Sequence, residues 1–150
     1  MKQLVDKLFA GYVPRKVLLC DRYVCGVDNL KMLELFVQAI RAVSTAIGIE
    51  VWTDDDRTDF KQIQAITGTA PRKLKDVFGR NVPHDRYVIV QENPGQGCGW
   101  QLSNSPLHAR ADLPGANSGT PLRWKDLSGT RVLPDELEPS LRQWLTGGAR

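Results

Sequence analysis

The sequence is short of the residues that build cofactor and metal sites. It has only two histidines, His84 and His108, and three cysteines, Cys20, Cys25 and Cys98, among 150 residues. An odd cysteine count argues against a closed disulfide framework. No Cys-x-x-Cys pair occurs and no histidine lies at metal-ligand spacing from a cysteine, which excludes a zinc ribbon or finger. Cys20 lies in an apolar run and reads as a small buried thiol; Cys98, in a glycine-rich stretch, reads as exposed. No strictly apolar run is longer than a few residues, too short to cross a bilayer. Residues 1–10 have neither the continuous apolar stretch nor the small-residue cleavage site of a secretory leader. Reduced thiols, no leader and no span give the expectation of a cytoplasmic protein with no membrane partner. The net charge of +3 permits a polyanion contact without demanding one.

What is present fits one α/β domain. Apolar residues make up 41% and charged residues 25% of the chain, which suits a single core and excludes disorder. Leu4, Val5, Leu8 and Phe9 predict a short N-terminal helix, with a linker to residue 14. Val17-Leu18-Leu19-Cys20 is a run apolar on both faces, as in a strand covered by helices on either side. Apolar residues at helical spacing from Leu30 to Ile47 predict a helix over 29–47, capped by Asp28 and stopped by Gly48. Ile49–Thr53 reads as a second strand, so the order is that of a parallel crossover. Thr58 is placed to cap a helix over Phe60 to Ile66, and Pro71 to start another that ends at Gly79. Arg86–Val90 and Trp100–Ser103 read as a hairpin around the glycine-rich turn Asn93–Gly99, and residues 134–146 as a C-terminal helix. The turn Asp54-Asp55-Asp56 reads as a solvated acidic loop, with a divalent-metal site as the sharper alternative.

Chemistry concentrates in one stretch. Alternation places His84, Arg86 and Val88 on one face of a strand. An imidazole beside a guanidinium suits a phosphate, because the cation holds the oxygens and the imidazole can attack phosphorus or move a proton. The bland alternative is a structural histidine with Arg86 paired to Asp85 or another acidic neighbour. Between Arg72 and Arg86, Arg72, Lys73, Lys75, Arg80 and Arg86 outweigh Asp76 and Asp85, a local charge equal to that of the whole chain. Arg72, Lys73, Lys75 and Arg80 are therefore the nucleic-acid-binding candidates.

His84-Asp85-Arg86, a hydrophobic strand, a glycine turn and Trp100-Gln101-Leu102-Ser103-Asn104-Ser105 together resemble the core of the phospholipase D superfamily. The likeness is to divergent members such as the phospholipase D-like C-terminal domains of MIT-domain proteins. Val17–Cys20 followed by Asp21-Arg22-Tyr23 is similar to that family's strand and turn, so the resemblance spans roughly residues 15–108. It implies a mixed sheet flanked by helices in a single domain over residues 1–150. It implies a site at His84, Arg86, Ser103 and Asn104, working without cofactor or metal. The family motif is His-x-Lys, then an Asp and a Gly-Ser. Here Arg86 replaces the lysine, Gln91 stands where the Asp is expected, and Leu102-Ser103 replaces Gly-Ser. Arginine's planar fork holds phosphate in a different geometry. The expectation is thus a degenerate module that binds a polyanion, DNA or RNA, or a protein partner within a larger bacterial assembly. The alternative is a metal-independent phosphodiesterase, a nuclease acting through a phosphohistidine. The family enzymes use two histidines at one phosphate, so a single-motif chain needs a homodimer to supply both; the His108-x-Arg110 echo reads as chance. A third reading is an interaction domain in which the tryptophans, Trp124 above all, anchor a partner.

Overall fold

The computed structural model describes residues 1–54, 59–102, 106 and 129–147. They form a single α/β domain around a six-stranded mixed sheet. Strand β1 (Lys16–Cys20) runs through helix α2 (Val27–Val43) into β2 (Gly48–Thr53), and the two strands pair in parallel. Helix α3 (Phe60–Thr67) leads to the two-residue edge strand β3 (Arg72–Lys73), parallel to the end of β2. After the short helix α4 (Leu74–Phe78), strand β4 (Arg86–Asn93) returns antiparallel on the other side of β1. Strands β5 (Gln96–Leu102) and β6 (Gly129–Val132) continue antiparallel, giving the order β3-β2-β1-β4-β5-β6. Helices α1 (Lys2–Leu8) and α5 (Pro139–Thr146) open and close the described chain.

Strand alternation divides the core into two clusters. Val17 and Leu19 of β1, Ile49 and Val51 of β2, and Val88 and Val90 of β4 face α1, α2 and α3. Leu18, Cys20, Trp52 and Ile89 face the other way, against α4 and α5. Both faces of β1 are fully buried, which explains its unbroken apolar run. Burying side chains such as Phe36, Leu33 and Ile40 of α2 contributes about 1.5–3 kcal/mol each.

Several boundaries differ from the sequence expectation. Helix α2 begins one residue before Asp28, with Gly26 as its cap at φ +84°, so Asp28 sits in the first turn facing the positive end of the dipole. It ends at Val43, because Ser44 is extended, and buried Ile47 lies on the chain leading into β2. Helix α3 is capped by Asp59, whose carboxylate accepts the Gln62 N–H at 3.2 Å; Thr58 lies outside the described residues. Pro71 starts no helix: Arg72 and Lys73 add a strand to the sheet edge before α4 begins. Near the C-terminus a 3-10 turn (Pro134–Glu136) comes first, and α5 starts only at Pro139, capped by Glu138.

The largest difference is in the glycine-rich stretch. The hairpin turn is confined to Asn93–Gln96, and Gly97-Cys98-Gly99 is a buried part of β5. A Cβ on Gly99 would lie 2.6 Å from Leu137 Cδ2, and one on Gly97 would lie 1.9 Å from the Val90 carbonyl oxygen. The glycines therefore let Leu137 and α5 press onto the sheet rather than shape a turn. Cys98, expected to be exposed, is fully buried as a result.

Candidate functional site

The mixed topology brings the carboxyl ends of β1 and β2 to the same end of the sheet as the first residue of β4. Thr53 pairs with Lys73, Trp52 with Cys20, and Cys20 with Tyr87. One step along that register lies a transverse row: Lys73, Thr53, Asp21, Arg86. At about 4.8 Å between strands, Lys73 and Arg86 stand roughly 14 Å apart, and beyond Arg86 the register runs on to Leu102 of β5. On the opposite face the corresponding row is Arg72, Trp52, Cys20, Tyr87.

Asp21 anchors the middle of the first row. Its N–H donates to the Trp52 carbonyl at 3.0 Å, prolonging the sheet ladder by one residue. Its Oδ1 accepts the Tyr23 N–H at 3.0 Å, an Asx turn that folds the chain away from the sheet. The side chain is wholly buried, and Arg86 Nε stands 3.9 Å from Oδ1. That distance makes an ion pair without a hydrogen bond. Asp21 Oδ2 and Arg86 Nε are both buried without a hydrogen-bond partner among the described residues. The Arg86 guanidinium also lies 5.4 Å from the centroid of the Tyr23 ring, a cation–π contact. Beside this group, Val24 N–H donates to the buried Thr53 hydroxyl at 3.3 Å, and Arg22 Nε lies 3.8 Å from Asp54 Oδ2. Arg86 thus pairs with Asp21. Asp85 instead accepts a hydrogen bond from Gln101 Nε2 at 2.8 Å.

His84 is exposed and sits in a bend just before β4, so strand alternation on that side begins at Arg86. The other basic candidates cluster on the β3 edge and α4. Arg72 is exposed, with its guanidinium 5.5 Å over the Trp52 ring, which in turn meets Phe78 edge-on at 5.9 Å. Lys73 is half-buried, while Lys75 on α4 and Arg80 beyond it are exposed. Ser103, Asn104, His108, Trp124 and the acidic Asp55 and Asp56 lie outside the described residues. No group of three metal-ligating side chains occurs among the described residues, and no described helix is long and apolar enough to cross a membrane.

Two neighbouring groups are dedicated to structure. Gln91 is buried, and its Nε2 donates to the Leu145 carbonyl at 2.6 Å and the Trp144 carbonyl at 3.4 Å, tying β4 to α5. Burial, reinforced by the charge of Asp21, pushes the Cys20 thiol far above its ordinary pKa, which disfavours its reactive thiolate. Burial, followed by the Asp85 charge, also raises the Tyr87 hydroxyl. Sequence reasoning singled out Arg86 and noted Asp21-Arg22-Tyr23 as a family-like turn after a strand, but did not place Asp21, Tyr23 or Thr53 beside Arg86. No family model, curated protein or solved structure matches this chain.

Proposed function

We propose that this chain is a divergent phospholipase D-like module that binds a polyanion, with nucleic acid as the ligand class, and that its phosphate site is degenerate. One observation carries the reading. Lys73 and Arg86 lie three strand spacings apart on a single row at one end of the sheet, and Arg72 on the other face of β3, with Lys75 and Arg80 beyond it, adds positive charge along the adjoining edge. Such an arrangement suits successive phosphates better than one small ligand. The buried carboxylate facing Arg86, and Gln91 committed to α5 where an acid is expected, both favour binding over turnover. A protein partner within a larger assembly is compatible with the same surface.

The test is fluorescence anisotropy with labelled single- and double-stranded DNA and RNA in EDTA, across a salt series. Affinity falls as salt rises, and each of Arg72→Ala and Arg80→Ala lowers the log–log salt slope by about one if its residue meets a phosphate. His84→Ala leaves the affinity unchanged. Absent or salt-insensitive binding overturns the proposal.

The exposure of His84, two residues before Arg86 in the chain, favours one second reading: a phosphodiesterase. In that mechanism an imidazole nitrogen bonds to phosphorus and the phosphorus–oxygen bond to the leaving alcohol breaks. The histidine of a second copy protonates the departing oxygen, and water then takes the phosphoryl group from the first. Cleavage in EDTA that vanishes in His84→Ala, together with a dimer by sedimentation, supports this reading. Intact substrate after prolonged incubation excludes it.

A further inference from the structure

We propose that Asp21 is an internal counter-ion that competes with an external phosphate for Arg86 and so holds down the anion affinity of the site. The inference rests on the reading above that Arg86 faces phosphate; it adds the residue that sets how tightly.

Asp21 cannot leave. Its backbone N–H is part of the sheet ladder, and its carboxylate is fixed by the Tyr23 N–H. Arg86 is different. It meets Asp21 at 3.9 Å without a hydrogen bond through its buried Nε, and its side chain is 21% exposed against 0% for Asp21. The Tyr23 ring, on a residue that is itself 48% exposed, carries the guanidinium toward the surface. An anion reaching Arg86 therefore gains a donor-rich cation but also feels a fixed negative charge one side chain behind it. Arg22 does not offset that charge freely, because Asp54 lies 3.8 Å from it. For charges about 7 Å apart near a protein surface, Coulomb's law reduced by the screening of physiological salt makes such a carboxylate worth on the order of tenfold in anion affinity.

Asp21→Asn and Asp21→Ser remove the charge while keeping an oxygen to accept the Tyr23 N–H. The probe is pyrophosphate, titrated calorimetrically and by its effect on thermal unfolding, against sodium chloride of equal ionic strength. We expect both variants to bind pyrophosphate about tenfold more tightly than the unaltered chain. The gain disappears in Asp21→Asn/Arg86→Gln, where a neutral amide pair replaces the ion pair and leaves no buried charge alone. Equal or weaker binding by a folded Asn or Ser variant overturns the proposal. So does failure of both to fold, because the carboxylate would then be a requirement of folding rather than a competitor. The oligonucleotide assay separates the two claims. A pyrophosphate gain without oligonucleotide binding defeats the nucleic-acid reading alone. Oligonucleotide binding without a gain on removal of the charge defeats this inference alone.

Discussion

Gln91→Glu is nearly isosteric, yet it should disrupt the junction between β4 and α5 in a pH-dependent way. Gln91 is 4% exposed, and its amide donates to the last-turn carbonyls of Leu145 and Trp144. The Leu145 carbonyl also accepts the Gly95 N–H at 3.0 Å, so helix end, hairpin turn and strand meet at one point. A carboxylate there offers no donor and faces two carbonyl oxygens. A protonated carboxyl still donates once. The folded pKa of the introduced group is therefore raised above its unfolded value of about 4.3. An acid with a raised folded pKa leaves stability intact below the unfolded pKa and loses it as pH rises toward the folded one. If the group stays protonated in the fold up to pH 7, the loss between about pH 4.3 and pH 7 is about 3.7 kcal/mol, at about 1.36 kcal/mol per unit. Urea unfolding of both proteins from pH 4.5 to pH 8 measures this directly. We expect near-coincident midpoints at the acid end and a widening gap above it. A gap that is absent at pH 8, or constant across the range, would refute the assignment of Gln91 as the α5 anchor. It would also reopen the possibility that an acid at this position serves chemistry.

Two further outcomes test the packing around the hairpin. Gly97→Ala should cost more than Gly99→Ala, because its Cβ meets the Val90 backbone at φ +158° whereas the Gly99 Cβ meets the side-chain end of Leu137. We expect about 1–3 kcal/mol for Gly99→Ala by urea midpoint; the reverse order would show that α5 does not press on β5 as described. In native protein at pH 8, iodoacetamide should label half-buried Cys25 first, since burial raises both the Cys20 and Cys98 thiols, and Cys98 should react only in denaturant. Equal labelling of Cys98 and Cys25 would contradict the burial of the glycine strand.

The sequence displayed the central crossover clearly, because β1, α2 and β2 each carry a periodicity that burial on both sides of the sheet enforces. It misplaced features whose cause lies far away along the chain. Gly97 and Gly99 look like turn residues until α5 and Leu137 are seen against them. Arg72 and Lys73 look like the entry to a helix until β2 offers an open edge to pair with. The same holds for the site. His84 and Arg86 stand out locally as a basic pair, but Asp21 becomes Arg86's partner only through the antiparallel register of β1 with β4. No local pattern encodes that register.

The register also explains why positive and negative groups alternate at this end of the sheet. Parallel strands β1 and β2 both stop here, and the residues that stop them, Asp21 and Asp54, are of the type that turns favour. The antiparallel β4 starts here, and so delivers Arg86 from the basic segment that precedes it. Any phosphate bound at this end must therefore compete with the carboxylates that shape the turns. Under the proposed reading such a site gains most from distributed cations such as Arg72, Lys75 and Arg80, which would meet an extended ligand at several points, and least from a single guanidinium. That balance favours a salt-sensitive grip on a polymer over the tight single-phosphate geometry that in-line chemistry requires.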